Sequence, residues 1–154
     1  MAPGSKRKAR SGQSVAWSGI NSSSVQETRR AGAEFATYLR PGDVVALHGE
    51  LGSGKSTFVG GMAEGLGLPD PVSSPTFALI HEYGRPPLLY HMDCYRETTL
   101  ERWRQLGLSD YFGGRAVSVI EWAENIAPLL PKETIHLDFS HGDDDSSRVV
   151  EVRS

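Results

Sequence analysis

A single cysteine, Cys94, stands among the 154 residues. It excludes an internal disulfide and any zinc-finger spacing, and such usage fits a reducing cytoplasm. Long apolar runs are missing too. Nothing approaches the ~18 consecutive apolar residues of a membrane span, and the N-terminus lacks the apolar centre of a secretory signal. The expectation is a soluble, cytoplasmic protein with no membrane association. No internal repeat or low-complexity segment is present beyond the N-terminal tail. That tail carries Lys6, Arg7, Lys8 and Arg10 and no acidic residue. Four of the 16 basic residues therefore lie outside a body that holds all 19 acidic ones, so the body is a poor generic nucleic-acid binder and no DNA partner is expected. Residues 1–21 read as a basic, disordered tail with no assigned function, and 22–154 as one domain, a length at which about 68–70% of the extended chain's surface is buried on folding.

Ordered structure is expected from near Ser24, where Ser24-Val25-Gln26-Glu27 spells a capping box ahead of Val25, Thr28, Ala31, Phe35 and Leu39 at helical spacing. This predicts a helix of about four turns. After the turn Pro41-Gly42-Asp43, the run Val44 to Leu47 is apolar throughout, as in a strand covered on both faces. Thr57 to Leu66 reads as a helix ended by Gly67. Further strands are read at 77–82, 88–92, 116–120, 135–139 and 149–152, and helices at 99–106 and 122–129. Strands alternating with helices around a glycine-rich turn predict an α/β three-layer P-loop NTPase fold, with a mostly parallel central sheet and antiparallel C-terminal edge strands.

The most informative segment is Gly49-Glu50-Leu51-Gly52-Ser53-Gly54-Lys55-Ser56, the Walker A pattern G-x-x-x-x-G-K-S/T placed between a strand and a helix. Its glycines allow successive backbone N–H groups to curl around phosphates, and the following helix points its positive end at the same anion. Residues Glu50 through Thr57 are read as nucleotide-binding. Lys55 would reach the β- and γ-phosphates, and Ser56 would supply an oxygen to Mg²⁺. Phosphoryl chemistry also requires a metal-associated carboxylate and a group that positions the nucleophile. Asp93 and Glu121 each close an apolar strand, and by spacing either could be that acid. Thr76, after Ser73-Ser74-Pro75, is a candidate switch hydroxyl. Trp122, beside Glu121, could pack near a nucleotide base. His91-Met92-Asp93 has metal-ligand residue types but no further constellation, and Cys94 has no activating base.

With these residues assembled, the chain resembles the bacterial TsaE (YjeE) family from about Val25 onward. The matching blocks are the loop through Phe58, Ser74-Pro75-Thr76-Phe77 with Glu82-Tyr83, Tyr90 to Arg96, Leu106 to Phe112, and Ile120 to Glu124. The resemblance implies an ATP- and Mg²⁺-dependent ATPase required for threonylcarbamoylation of the adenosine next to the anticodon, in tRNAs that read codons beginning with A. It implies a TsaD–TsaB complex as partner and contact with tRNA only through that complex. Carried over by motif, Lys55, Asp93, Glu121 and Thr76 are catalytic and Ser56, Asp93 and Glu121 metal-associated, with the roles of Asp93 and Glu121 undivided. Two other readings are a small-molecule P-loop kinase, whose lid would recruit Arg96, Arg102, Arg104 or Arg115, and an ATP-sensing regulatory module.

Overall fold

The computed structural model describes residues 15–69, 79–84, 86–97 and 99–153. Seven strands form one sheet: β1 (Ile20–Ser22), β2 (Val44–His48), β3 (Ile80–Tyr83), β4 (Leu89–Asp93), β5 (Val117–Glu121), β6 (Ile135–His141) and β7 (Arg148–Val152). Their order is β1-β7-β6-β2-β5-β4-β3. The central strands β6, β2, β5 and β4 run parallel, while β3 and β7 reverse direction. The expected antiparallel pairing of the last two strands holds, but β7 is not the edge. β1 covers it, with Ser22 opposite Arg148.

Alternation along β2 explains why its sequence is apolar throughout. Val45 and Leu47 face a core shared with helices α1 (Val25–Ala36) and α2 (Lys55–Gly65), in which Phe35, Phe58 and Met62 are fully buried. Val44 and Ala46 face the opposite side, against Trp103 of α3 (Leu100–Gln105), Met92, Ile120 and Ile126. Both faces are therefore covered, the arrangement that parallel strands require.

Ser24 caps α1 as the sequence predicts, its Oγ accepting the Glu27 N–H at 3.0 Å. The reciprocal bond is displaced by one residue, because the Glu27 carboxylate takes the Ser23 N–H and hydroxyl. α2 ends in a Schellman motif: Gly67 has φ +70°, the Leu68 N–H reaches Ala63 O, and the Gly67 N–H reaches Glu64 O. The two helices meet through glycine. A Cβ on Gly61 would lie 1.9 Å from Arg29 O, and one on Gly32 would lie 2.1 Å from Phe58 O.

Three expectations require correction. Residues 15–21 are not part of a tail: Val15 and Trp17 are buried in the α1/α2 core, with Trp17 packed edge-on against Phe35 at 5.0 Å. The basic charge nearby obscured an apolar run that can enter a core. Val25 does not join the buried stripe of α1 and is 63% exposed. The short helix read at 122–129 is present as Ala123–Leu129, but Trp122 lies outside it, and it is of 3₁₀ type and kinked at Ile126, where Pro128 has no N–H to continue an α ladder. Among the described residues, no helix is long and apolar enough to cross a membrane.

Candidate functional site

Three parallel strands end side by side at the site. β2 runs into the glycine-rich loop, and Asp93 and Glu121 close β4 and β5 in direct register. Loop geometry depends on its glycines. Gly49, Gly52 and Gly54 have φ +147°, +78° and +101°, and a Cβ on Gly49 would come within 2.9 Å of Ser53 Oγ and 2.5 Å of Phe139 O. Gly54 caps α2, which begins at Lys55, two residues earlier than the sequence suggests. Ser53 is fully buried, and its Oγ has no hydrogen-bond partner among the described residues.

Lys55 is 4% exposed. Its Nζ donates to Gly49 O and sits 3.8 Å from the centroid of the Trp122 ring, a cation–π contact. Burial pushes the ammonium below the ordinary lysine value, while Glu121, Glu124 and Asp93 pull it back up. Ser56 Oγ donates to both oxygens of Glu121, at 3.3 and 3.2 Å. His91 Nε2 reaches Glu121 Oε2 at 2.6 Å. Burial opposes ionisation of Glu121, yet the bonds from His91 and Ser56 and the charge of Lys55 prevail and hold its carboxyl below the usual range. Asp93 is exposed and accepts the Tyr95 N–H at 2.9 Å.

Trp122 is the one described non-glycine residue with positive φ, +57°. This left-handed turn, an unfavourable conformation costing on the order of 1–3 kcal/mol, stops β5 directly after Glu121 and presents the indole to Lys55 and to Tyr95, 4.8 Å away. A cleft of about 300 Å³ opens here, lined by Leu51, Gly52, Gly54 to Thr57, Glu121 and Trp122. Its other wall comes from Val25 and Thr28 of α1 and from Asp145, Ser146 and Arg148. Arg148 Nε donates to Gly52 O at 3.1 Å, tying β7 to the loop.

The structure thus brings together Gly52, Gly54, Lys55, Ser56, Thr57, Glu121 and Trp122, with Leu51 71% exposed at the cleft rim and Asp93 beside Glu121. Glu50 contributes its backbone carbonyl, 3.5 Å from Lys55 Nζ. Thr76 lies outside the described residues. Sequence reasoning missed Arg148 and the link from His91 to Glu121. Period-two alternation along β4 puts His91 and Asp93 on one face and could have suggested the second; no local signal pointed to Arg148. Cys94 is fully buried, and burial foremost pushes its thiol up to about 12, as an inert packing residue requires.

Fold and site define an α/β protein with a glycine-rich loop at the carboxyl edge of the parallel strands of a mixed sheet. Residues 22–150 match the model of the family described as threonylcarbamoyl adenosine biosynthesis protein TsaE. The chain belongs to the TsaE family. It is 42% identical over 126 residues to the tRNA threonylcarbamoyladenosine biosynthesis protein TsaE of Bacillus subtilis (strain 168), covering 81% of this chain and 78% of that protein. The protein of the same name from Treponema pallidum (strain Nichols) is 43% identical over 114 residues, covering 74% and 84%. Among solved structures, the crystal structure of Bacillus subtilis YdiB superposes with a TM-score of 0.70 at 36% identity, covering 87% of this chain and 83% of that one.

Proposed function

We propose that this chain is a P-loop ATPase that acts with a TsaD–TsaB complex in placing threonylcarbamoyl on the adenosine next to the anticodon. The fold is read as that of P-loop NTPases. The observation that carries the reading is the convergence of Lys55, Ser56 and Glu121 at one cleft below the glycine-rich loop. An ATP phosphate chain fits this donor set. The glycines keep positions 49, 52 and 54 free of a Cβ, and Ser53 brings a buried hydroxyl without a hydrogen-bond partner among the described residues. Lys55 and the N-terminus of α2 supply positive charge.

Ser56 and Glu121, with Asp93 adjacent, offer the hydroxyl and the one or two carboxylates that suffice for Mg²⁺ bound together with substrate phosphates. When bound, the ion would neutralise charge developing on the β- and γ-phosphate oxygens. Lys55 would hold the anion, Ser56 and Asp93 would be placed to hold the ion, and Glu121, kept ionised by its present partners, would be available to accept a hydrogen bond from the attacking water. Thr76 is retained as the switch candidate. Trp122 is retained as a nucleotide contact, and the placement of its ring over Lys55 favours the phosphate end of the cleft. The adenosine modification itself belongs to the partner complex, with tRNA reached through it.

The test combines calorimetric titration with ATP and ADP and reconstitution with a TsaD–TsaB complex, tRNA, threonylcarbamoyl-adenylate and ATP. Multiple rounds of modification should require this chain. Sustained modification without it, or transfer of phosphate to a small acceptor instead of water, would overturn the reading and favour the kinase alternative.

A further inference from the structure

Glu121 is held by two side chains that differ in what each is free to do. Ser56 stands at the first turn of α2, and its bonds to Glu121 are long, 3.3 and 3.2 Å. His91 sits on β4, adjacent to β5, with its Cα opposite Val119 and its Nε2 2.6 Å from Glu121 Oε2. Both members of the second pair are enclosed, with side chains 15% and 6% exposed. An ionised carboxylate offers no proton, so the imidazole must carry its hydrogen on Nε2 and donate. If Ser56 turns to a cation, His91 is the hydrogen-bond donor left on the carboxylate among the described residues.

We propose that His91 is a positioning residue for Glu121, clamping its carboxylate through a strand-to-strand hydrogen bond that persists when Ser56 leaves. The inference rests on the reading of the cleft as an ATP site. A histidine here does what a backbone or amide partner does for a metal-associated acid elsewhere: it sets which oxygen lone pair faces the reacting atoms. Among the described residues this is the hydrogen bond its side chain makes, and across β3 it meets the ring of His81, tilted and 6.0 Å away. Asp93, two residues on, spends an oxygen on the Tyr95 N–H and gives Glu121 no donor.

The experiment uses the full chain. In nucleotide-free protein, nitrogen-15 imidazole spectra should show His91 protonated on Nε2, with a downfield proton that moves in Glu121→Gln. A proton on Nδ1 with none on Nε2, or no response to Glu121→Gln, would overturn the clamp. In steady-state ATP hydrolysis with the partner complex, His91→Leu should lower kcat about 10–100-fold while KM for ATP stays within about threefold. His91→Gln, whose amide N–H extends to a similar distance, should recover most of kcat. Wild-type turnover in His91→Leu, or a folded His91→Gln as slow as the Leu variant, would defeat the proposal. If His91→Leu does not fold, the Gln variant and the wild-type spectra decide. A wild type that binds neither ATP nor ADP would instead defeat the ATP-site reading, and the imidazole spectra would still decide whether His91 holds Glu121.

Discussion

Lys55 concentrates the charge of the site. It lies on Gly49 O and the Trp122 ring, and burial already weighs against its charge. An arriving phosphate restores a full counter-charge. Lys55→Ala is expected to abolish MgATP binding while leaving the melting temperature near wild type, as titration and thermal melts will check. The strand-end acids should behave differently. Asp93→Ala and Glu121→Ala should keep much of the ATP affinity but lower partner-stimulated hydrolysis about 10²-fold, and wild-type rates in both would reduce the pair to a structural role. That each of the two acids ends a strand was legible from the sequence, because each closes an apolar run; that the two strands lie side by side was not. Which one lies under the loop was not, since hydroxyl, imidazole and carboxylate are assembled from α2, β4 and β5 only by strand order.

At the scale of elements, the α1/α2 contact and the β2/β6 seam make separable predictions. Gly61→Ala should destabilise by about 1–3 kcal/mol despite better helix propensity, because Arg29 O is backbone and cannot retreat. Gly60→Ala is its control. There the Cβ would meet the flexible guanidinium of Arg29 at 2.9 Å, so denaturant midpoints should stay close to wild type. Along the seam, His48 Nε2 and His136 Nδ1 lie 2.8 Å apart in stacked rings. Burial foremost, then Arg153, lowers both values in the folded state; Asp138 opposes at both rings and Glu124 at His48, without reversing it. The unfolded chain therefore binds more protons as pH falls below about 6.5, and the fold loses stability in that window. Melts from pH 7.5 to 5 should show this decline, flattened in a His48→Asn, His136→Gln double variant. Elements were largely legible because caps, glycine stops and apolar runs are local signals. The 3₁₀ segment after Trp122 and the strand Ile20–Ser22 were not, since a kink at proline and pairing with β7 depend on tertiary context.

For the whole molecule, Val15 and Trp17 carry the core towards the N-terminus. Deleting Met1 to Gln13 should leave stability and ATP turnover near wild type. Trp17→Ala should cost about 3–5 kcal/mol, because its ring contacts both Phe35 and Phe58 in the core. Equal melting temperatures for the Trp17 variant and wild type would show that this placement is wrong. The sheet order has a temporal consequence as well. The strand that carries the phosphate loop is hydrogen-bonded to β5 and β6, and the last strand, β7, braces the loop through Arg148. On a ribosome the loop is therefore translated early and must wait, without either flanking strand, until most of the chain has emerged. A nascent chain halted before Ile135 is therefore expected to leave β2 without its β6 neighbour, an exposed apolar strand, and to retain no nucleotide in a pull-down of stalled ribosomes.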